Sequence, residues 1–220
     1  MEFNLVQTIA IYALPVIFAI TLHEAAHGYV ARYFGDMTAW RLGRVSLNPI
    51  RHIDLVGTIL VPIAILVASK LMGGGGMLFG WAKPVPVNFW ALGNPKRDMF
   101  WVAAAGPMSN LAMALGWALV AKLGMVVPVN VFSLPMQLMG EAGIMVNVVF
   151  MVLNLLPILP LDGGRIAVSL LPNRMAIPYA RLEPYGFPIL LLLVFTNVLG
   201  AILGPMVHAS LELIELVFQL

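Results

Sequence analysis

Hydrophobic residues in this chain fall in long blocks with few polar interruptions. Runs long enough to approach a bilayer crossing are Phe3 to Leu22, Leu55 to Met72, Met99 to Val120, Gly143 to Leu161 and Gly186 to Leu203. A crossing helix takes about 20 apolar residues. The first run continues as helix through His23 to about Phe34. After the last, Gly204-Pro205 leads into Met206 to Leu220, a tail that lies at the interface or packs as a final helix. Between the blocks, Trp40 to Leu47 partly alternates polar and apolar, which predicts a short strand. Gly73 to Asn94 holds Gly73-Gly-Gly-Gly76 and Pro84-Val-Pro86. It is too broken for a regular crossing helix and too apolar for an exposed loop. Irregular backbone at membrane depth is tolerated only where protein buries it or where it lines a wet cavity, so this segment reads as re-entrant or strand-like. The expectation is an all-α polytopic membrane protein with about five to six transmembrane helices. A small strand-like or re-entrant segment falls around residues 40–94, and residues 1–220 form one domain.

Composition supports this class. The chain is 61% hydrophobic and 10% charged, against about 25% charged in soluble domains, so it cannot cover a globule with solvated surface. The net charge is +2 without a basic run, which excludes a nucleic-acid partner and leaves the lipid bilayer as the surroundings. There are no cysteines, hence no disulfides, thiolate metal site or cysteine nucleophile. The start of the chain has no basic stretch or cleavage site of a signal peptide, so the first helix is expected to be retained. Basic residues mark the cytoplasmic side. Arg32 to Arg51, Lys96-Arg97, and Arg165, Arg174 and Arg181 therefore place the end of the first helix inside. The run from Met99 then goes out and the run from Gly143 returns.

Within the first apolar helix stand His23, Glu24 and His27. Ionisable groups inside membrane segments are costly and are functional candidates by default. Residues i and i+4 share one helix face, so His23 and His27 can hold one ion. Glu24 sits about 100° round from His23, placed to reach a water on that ion. Neutral imidazoles suit Zn2+, which lowers the pKa of a bound water to about 7. A catalytic zinc usually takes three protein ligands, and the third comes from Asp162, Glu141, His52 or His208. By the charge rule the stretch from Ala142 to Asp162 travels inward over the same number of residues as Phe3 to His23. This favours Asp162 and puts Glu141 at the opposite face. The alternative role for Asp162 is the N-cap of a short helix from Gly163.

His23-Glu-Ala-Ala-His27 together with Leu161-Asp-Gly-Gly164 resembles the site-2 protease family of intramembrane zinc metalloproteases, peptidase family M50. Asn48-Pro-Ile-Arg-His52, Gly80-Trp-Ala-Lys-Pro-Val-Pro-Val-Asn88 and Gly106-Pro-Met-Ser-Asn110 resemble segments of its short bacterial and archaeal branch, which lacks PDZ and CBS domains. The resemblance implies His23, His27 and Asp162 as zinc ligands, Glu24 as general base and a three-helix catalytic core. It also implies a multi-pass protein of the cell membrane, with its site inside the bilayer toward the cytoplasm and single-pass transmembrane proteins as substrates. Asn110 and Asn154 are candidates for stabilising the oxyanion or positioning the peptide. Their alternative role is helix packing through side-chain hydrogen bonds. Gly106 is expected to permit close helix approach, His52 to lie at the interface, and Lys83 to face substrate or snorkel.

The expected reaction is hydrolysis of a peptide bond in a locally unwound transmembrane substrate. The Gly73 to Asn94 segment is a candidate for pairing with that extended substrate. The competing class is a metal or ion transporter using the same charged residues. Transporters often carry paired broken helices from internal repeats, and this chain has no evident repeat. An inactive scaffold is a third reading, against which the intact ligand and base pattern argues.

Overall fold

The fold comes from a computed structural model that describes residues 4–61 and 82–220. Seven main helices follow in order: α1 Leu5–Tyr33, α2 Pro95–Val126, α3 Ser133–Asn154, α4 Asp162–Leu170, α5 Asn173–Ala180, α6 Glu183–Phe195 and α7 Val198–Phe218. Among the described residues there is no strand, and α1, α2, α3 and α7 are long and apolar enough to cross a membrane. The chain is thus an all-α polytopic membrane protein. Its outer surface carries large exposed hydrophobics such as Ile9, Leu119, Leu192 and Leu216, as a lipid-facing bundle requires.

Local chemistry sets the helix ends. Asn4 and Gln7 form a reciprocal cap on α1, with Gln7 N–H donating to Asn4 Oδ1 at 2.9 Å and Asn4 N–H to Gln7 Oε1 at 3.0 Å. Pro95 opens α2, where its missing N–H costs nothing. The six residues between α2 and α3 allow only an antiparallel return. Small residues let the two helices close up. A Cβ on Gly140 would stand 2.6 Å from Ala121, and one on Gly143 2.2 Å from the Trp117 ring. Ala114, Ala118 and Ala121 meet Ile144, Val148 and Val152 in the same seam, with Ile214 of α7 added from outside. Without a hydrophobic drive between helices in lipid, such close approach is what holds them together. Helices α1, α2 and α3 pack mutually, α4 lies on α2, and α7 lies on α3.

Four expectations are revised. Trp40 to Leu47 is not a strand. Asp36 Oδ1 accepts from Thr38 N–H at 2.9 Å and starts a single helical turn, Thr38–Arg41. Gly43, at φ +63°, then turns the chain away. Residues 82–88 form neither helix nor strand, and Phe89–Ala91 is a 3-10 turn. The rest of the expected re-entrant segment, and most of the Leu55 to Met72 run, lie outside the described residues; Leu55–Leu60 forms a π turn. The third crossing helix starts ten residues earlier than Gly143 and stops at Asn154. The run Gly186 to Leu203 is two helices, because Asn197 takes a left-handed conformation at φ 59°. Helix α7 then continues through Gly204-Pro205 to Phe218. The 13 residues of α6 rise only about 20 Å, short of a crossing.

Candidate active site

His23 and His27 stand one turn apart on α1, buried to 7% and 8% exposure, and Asp162 at the first turn of α4 is exposed to 9%. The route that brings Asp162 there is irregular. After α3 ends, residues 155–161 fold back through short turns, with Ile158 N–H bonded to Leu156 O at 2.7 Å and Leu161 N–H to Ile158 O at 2.9 Å. Glycines make room for this knot. A Cβ on Gly163 would lie 2.2 Å from Leu155 O, one on Gly164 2.6 Å from Leu159 N, and one on Gly186 of α6 1.5 Å from Leu159 O. Asp162 does not cap α4, whose N-cap residue is Leu161 and which has no side-chain cap bond.

A buried hydrogen-bond chain sets the histidine tautomers. Asn147 of α3 donates Nδ2–H to the Gly143 carbonyl at 2.8 Å, so its Oδ1 faces Asn110 Nδ2, at 2.9 Å. Asn110 of α2 thereby turns its own Oδ1 to His23 Nδ1, at 2.5 Å. His23 carries its proton on Nδ1, leaving the Nε2 lone pair bare. His27 donates Nδ1–H to the Val102 carbonyl at 2.7 Å and leaves its Nε2 bare in the same way. That carbonyl lies beside a gap in the α2 ladder, because Pro107 has no N–H to give to Ala103.

Three sets of lone pairs then converge. The two Nε2 atoms are 3.1 Å apart, Asp162 Oδ2 is 3.1 Å from His23 Nε2, and Asp162 Oδ1 is 3.3 Å from His27 Nε2. A proton would bridge at most one of these contacts, whereas a cation between them satisfies all three. Asp162 Oδ2 is buried with no hydrogen-bond partner, as an atom awaiting a metal would be. Ligands about 2.0–2.1 Å from a tetrahedral zinc stand about 3.3–3.4 Å apart, close to the 3.1 Å between the two Nε2 atoms, and one ligand atom from each of the three residues lies within 4.8 Å of the others. The donor set is nitrogen and oxygen, with each imidazole oriented from behind, the arrangement found at metal-ligating histidines. Among the described residues, this is the one group of three or more such side chains placed to hold a metal ion.

Gly106 of α2 faces this cluster. A Cβ there would sit 2.5 Å from His23 Cε1 and 2.5 Å from His27 Nε2. The expected close helix approach is therefore an approach onto the two imidazoles themselves. Glu24, partly buried beside them, accepts Val85 N–H on Oε2 at 2.8 Å. The strap that carries Val85 is held by Arg44 on Lys83 O at 2.7 Å, by Lys83 N–H on His52 O at 2.9 Å, and by Asn88 N–H on Asp36 at 2.6 Å.

The other candidates lie elsewhere. Asn154 donates back to Phe150 O on its own helix at 3.0 Å. Glu141 is exposed on the first half of α3, and His208 is exposed on α7. His52 is buried and bonded through Nε2 to Ser46 O at 2.8 Å. Asn147 went unnoticed in the sequence; its signal is an amide amid apolar residues of a crossing helix, seven residues before the more conspicuous Asn154.

Comparison with known proteins finds close relatives. The chain is 39% identical over 214 residues to "Putative zinc metalloprotease YwhC" of Bacillus subtilis, across 94% of this chain and 91% of that protein. It is 28% identical over 187 residues to "Putative zinc metalloprotease Rip2" of Mycolicibacterium smegmatis, across 83% of this chain and 65% of that protein. Against Rip2 of Mycobacterium tuberculosis the identity is 28% over 174 residues, 77% of this chain and 55% of that protein. No family model and no solved structure matches.

Proposed function

Since the chain belongs to the family of zinc metalloproteases that includes the Bacillus subtilis relative, we propose that it is an intramembrane protease of the site-2 type, cutting single-pass transmembrane proteins within or near their membrane segments. The observation that carries this reading is the convergence of His23, His27 and Asp162 lone pairs beside a Glu, on a helix apolar enough to cross a bilayer. A carboxylate and two imidazoles at that depth have no structural benefit that would offset their desolvation.

Zinc, when bound by these three residues, supplies a Lewis acid for the scissile carbonyl and lowers the pKa of water at the site. Glu24 is the general base, taking the proton of the attacking water and returning it to the departing amine. Val85 N–H fixes one carboxylate oxygen of Glu24, which holds the side chain in one orientation. Asn110 and Val102 O keep both imidazoles in the tautomer that presents Nε2. The active site lies inside the cell membrane toward its cytoplasmic face, because Arg32, Arg41, Arg44 and Arg51 follow the metal-bearing end of α1. Substrate pairing along the strap is restricted, since Val85 N–H is already spent on Glu24 and Pro84 and Pro86 have none to give. With Lys83 N–H on His52 O and Asn88 N–H on Asp36, Val87 is the donor left among residues 83–88, and Val87→Pro should slow cleavage without lowering zinc content.

The deciding experiment is co-expression with a tagged single-pass membrane protein. Wild type releases the cleaved fragment and Glu24→Gln, at equal protein level, releases none while keeping its zinc. Asp162→Ala loses zinc as well as cleavage. Cleavage that survives in Glu24→Gln would sink this mechanism, and full zinc in Asp162→Ala would move the third ligand elsewhere.

A further inference from the structure

Helix α7 carries ionisable residues that no other described residue covers. It is the least buried of the four crossing helices, with 6% of its most apolar window covered against 28–39% in the others. One face packs inward through Leu199, Leu203, Val207, Leu211 and Ile214 onto α2, α3 and α6. Another face is a stripe formed by Ala201, Gly204, His208, Glu212 and Glu215, all exposed. At 100° per residue these five fall within about 80° of one another. Ala201, His208 and Glu215 repeat at seven-residue spacing, the period of a helix–helix seam. The rest of the exposed surface, Ile202, Met206, Leu213, Leu216 and Val217, is apolar and suits lipid.

His208 stands at the middle of the 21-residue helix, about 15 Å from either end, too deep to reach an interface. Among the described residues its partner is Glu212 of the same helix, with Nε2 3.1 Å from Oε1, and both side chains are mostly exposed, at 75% and 63%. The nearest basic side chain of α2, Lys122, is spent on the Gln219 carbonyl. A bare His–Glu pair facing hydrocarbon is costly. A neighbouring helix bearing a donor and an acceptor within about one helical turn of those depths removes that cost through interhelical hydrogen bonds. The stripe itself bears such a pair, four residues apart, next to small residues that admit close contact; a Cβ on Gly204 would meet nothing within 4 Å.

We propose that the α7 stripe is an interface between two copies of this chain, related by a two-fold axis along the membrane normal. That symmetry sets the two α7 helices parallel and matches like depths, as a closed isologous contact requires. His208 of each copy then hydrogen-bonds the partner's Glu212, about 6 Å along the axis, and Ala201 and Gly204 let the backbones approach. The metal cluster lies on α1 and α4, so this contact is independent of the proteolytic reading.

The chain has no cysteine, so any introduced thiol is unique. Single variants Ala201→Cys and Gly204→Cys in native membranes should oxidise to a disulfide-linked species of twice the chain mass. Met206→Cys and Leu213→Cys on the lipid face should stay monomeric. Adding His208→Leu or Glu212→Leu to Ala201→Cys should lower the cross-linked yield severalfold at unchanged expression. Equal cross-linking on both faces, or an adduct of another mass at the stripe, would overturn the proposal. So would stripe thiols that resist maleimide yet never cross-link, because the stripe would then be covered within one chain.

Discussion

Position 106 has no room for a side chain. A methyl group there would overlap both metal-facing imidazoles, and neither can retreat without breaking its bond to Asn110 or Val102 O. Gly106→Ala is expected to lose most of its bound zinc and its cleavage while still inserting in the membrane, measured by metal content of the purified protein. Asn147 acts at one remove. Asn147→Ala leaves a buried Asn110 N–H short of its partner and frees the amide to flip, which unsettles the His23 tautomer. Loss of such an outer partner typically lowers metal affinity about 10–100-fold, so the variant should release zinc to a chelator at correspondingly lower concentration. Asn147→Gln cannot restore the geometry, whereas a purely packing role would be met by Asn147→Leu. Asn110 was legible as a polar residue worth watching. That its oxygen would be spent on His23 was not, because the direction of an amide depends on what faces it.

At the scale of elements, glycines do most of the positioning. Those of α3 seat it on α2, and those at the start of α4 let the 155–161 turn fold tightly enough to return Asp162 to α1. Gly143→Ala would push on the Trp117 ring from 2.2 Å. Overpacking of this kind typically costs about 1–3 kcal/mol, so thermal unfolding in detergent should shift down measurably. A shift within error would mean that the seam yields without strain. Element type was legible from the apolar runs; element ends were less so. Gly204-Pro205 looks like a break and is not one, since crossing helices tolerate proline when neighbours satisfy the freed carbonyl. The break comes at Asn197, a residue able to adopt the left-handed conformation. The apparent alternation of Trp40 to Leu47 is overridden by the Asp36 turn and Gly43. Asp162 does reach the histidines, by a route that the residue count from Ala142 does not describe. Helix α3 stops at Asn154 and the last eight residues fold back.

For the whole molecule, orientation is open to direct measurement. The α2–α3 loop, with Val129 97% exposed, should face outside, and the Arg-rich stretch after α1 should face the cytoplasm. An impermeant thiol reagent on intact cells is then expected to label Val129→Cys and spare Arg51→Cys. The reverse pattern would turn the molecule over in the membrane and move the metal cluster to the outer half.

From its sequence alone this chain is a membrane protein, because its composition leaves no other solvent for its surface. Sequence alone also sets His23, Glu24 and His27 on neighbouring positions of one helix, because that relation is local and follows from 3.6 residues per turn. Everything that joins distant segments was decided by the tertiary structure. It brings Asp162 back to the histidines, sets both tautomers through α2 and α3, lays Gly106 against the imidazoles and aims Val85 N–H at Glu24. Among the described residues it also leaves the polar stripe of α7 uncovered. Those relations depend on how helices far apart in sequence approach one another, and spacing along one helix carries no information about that.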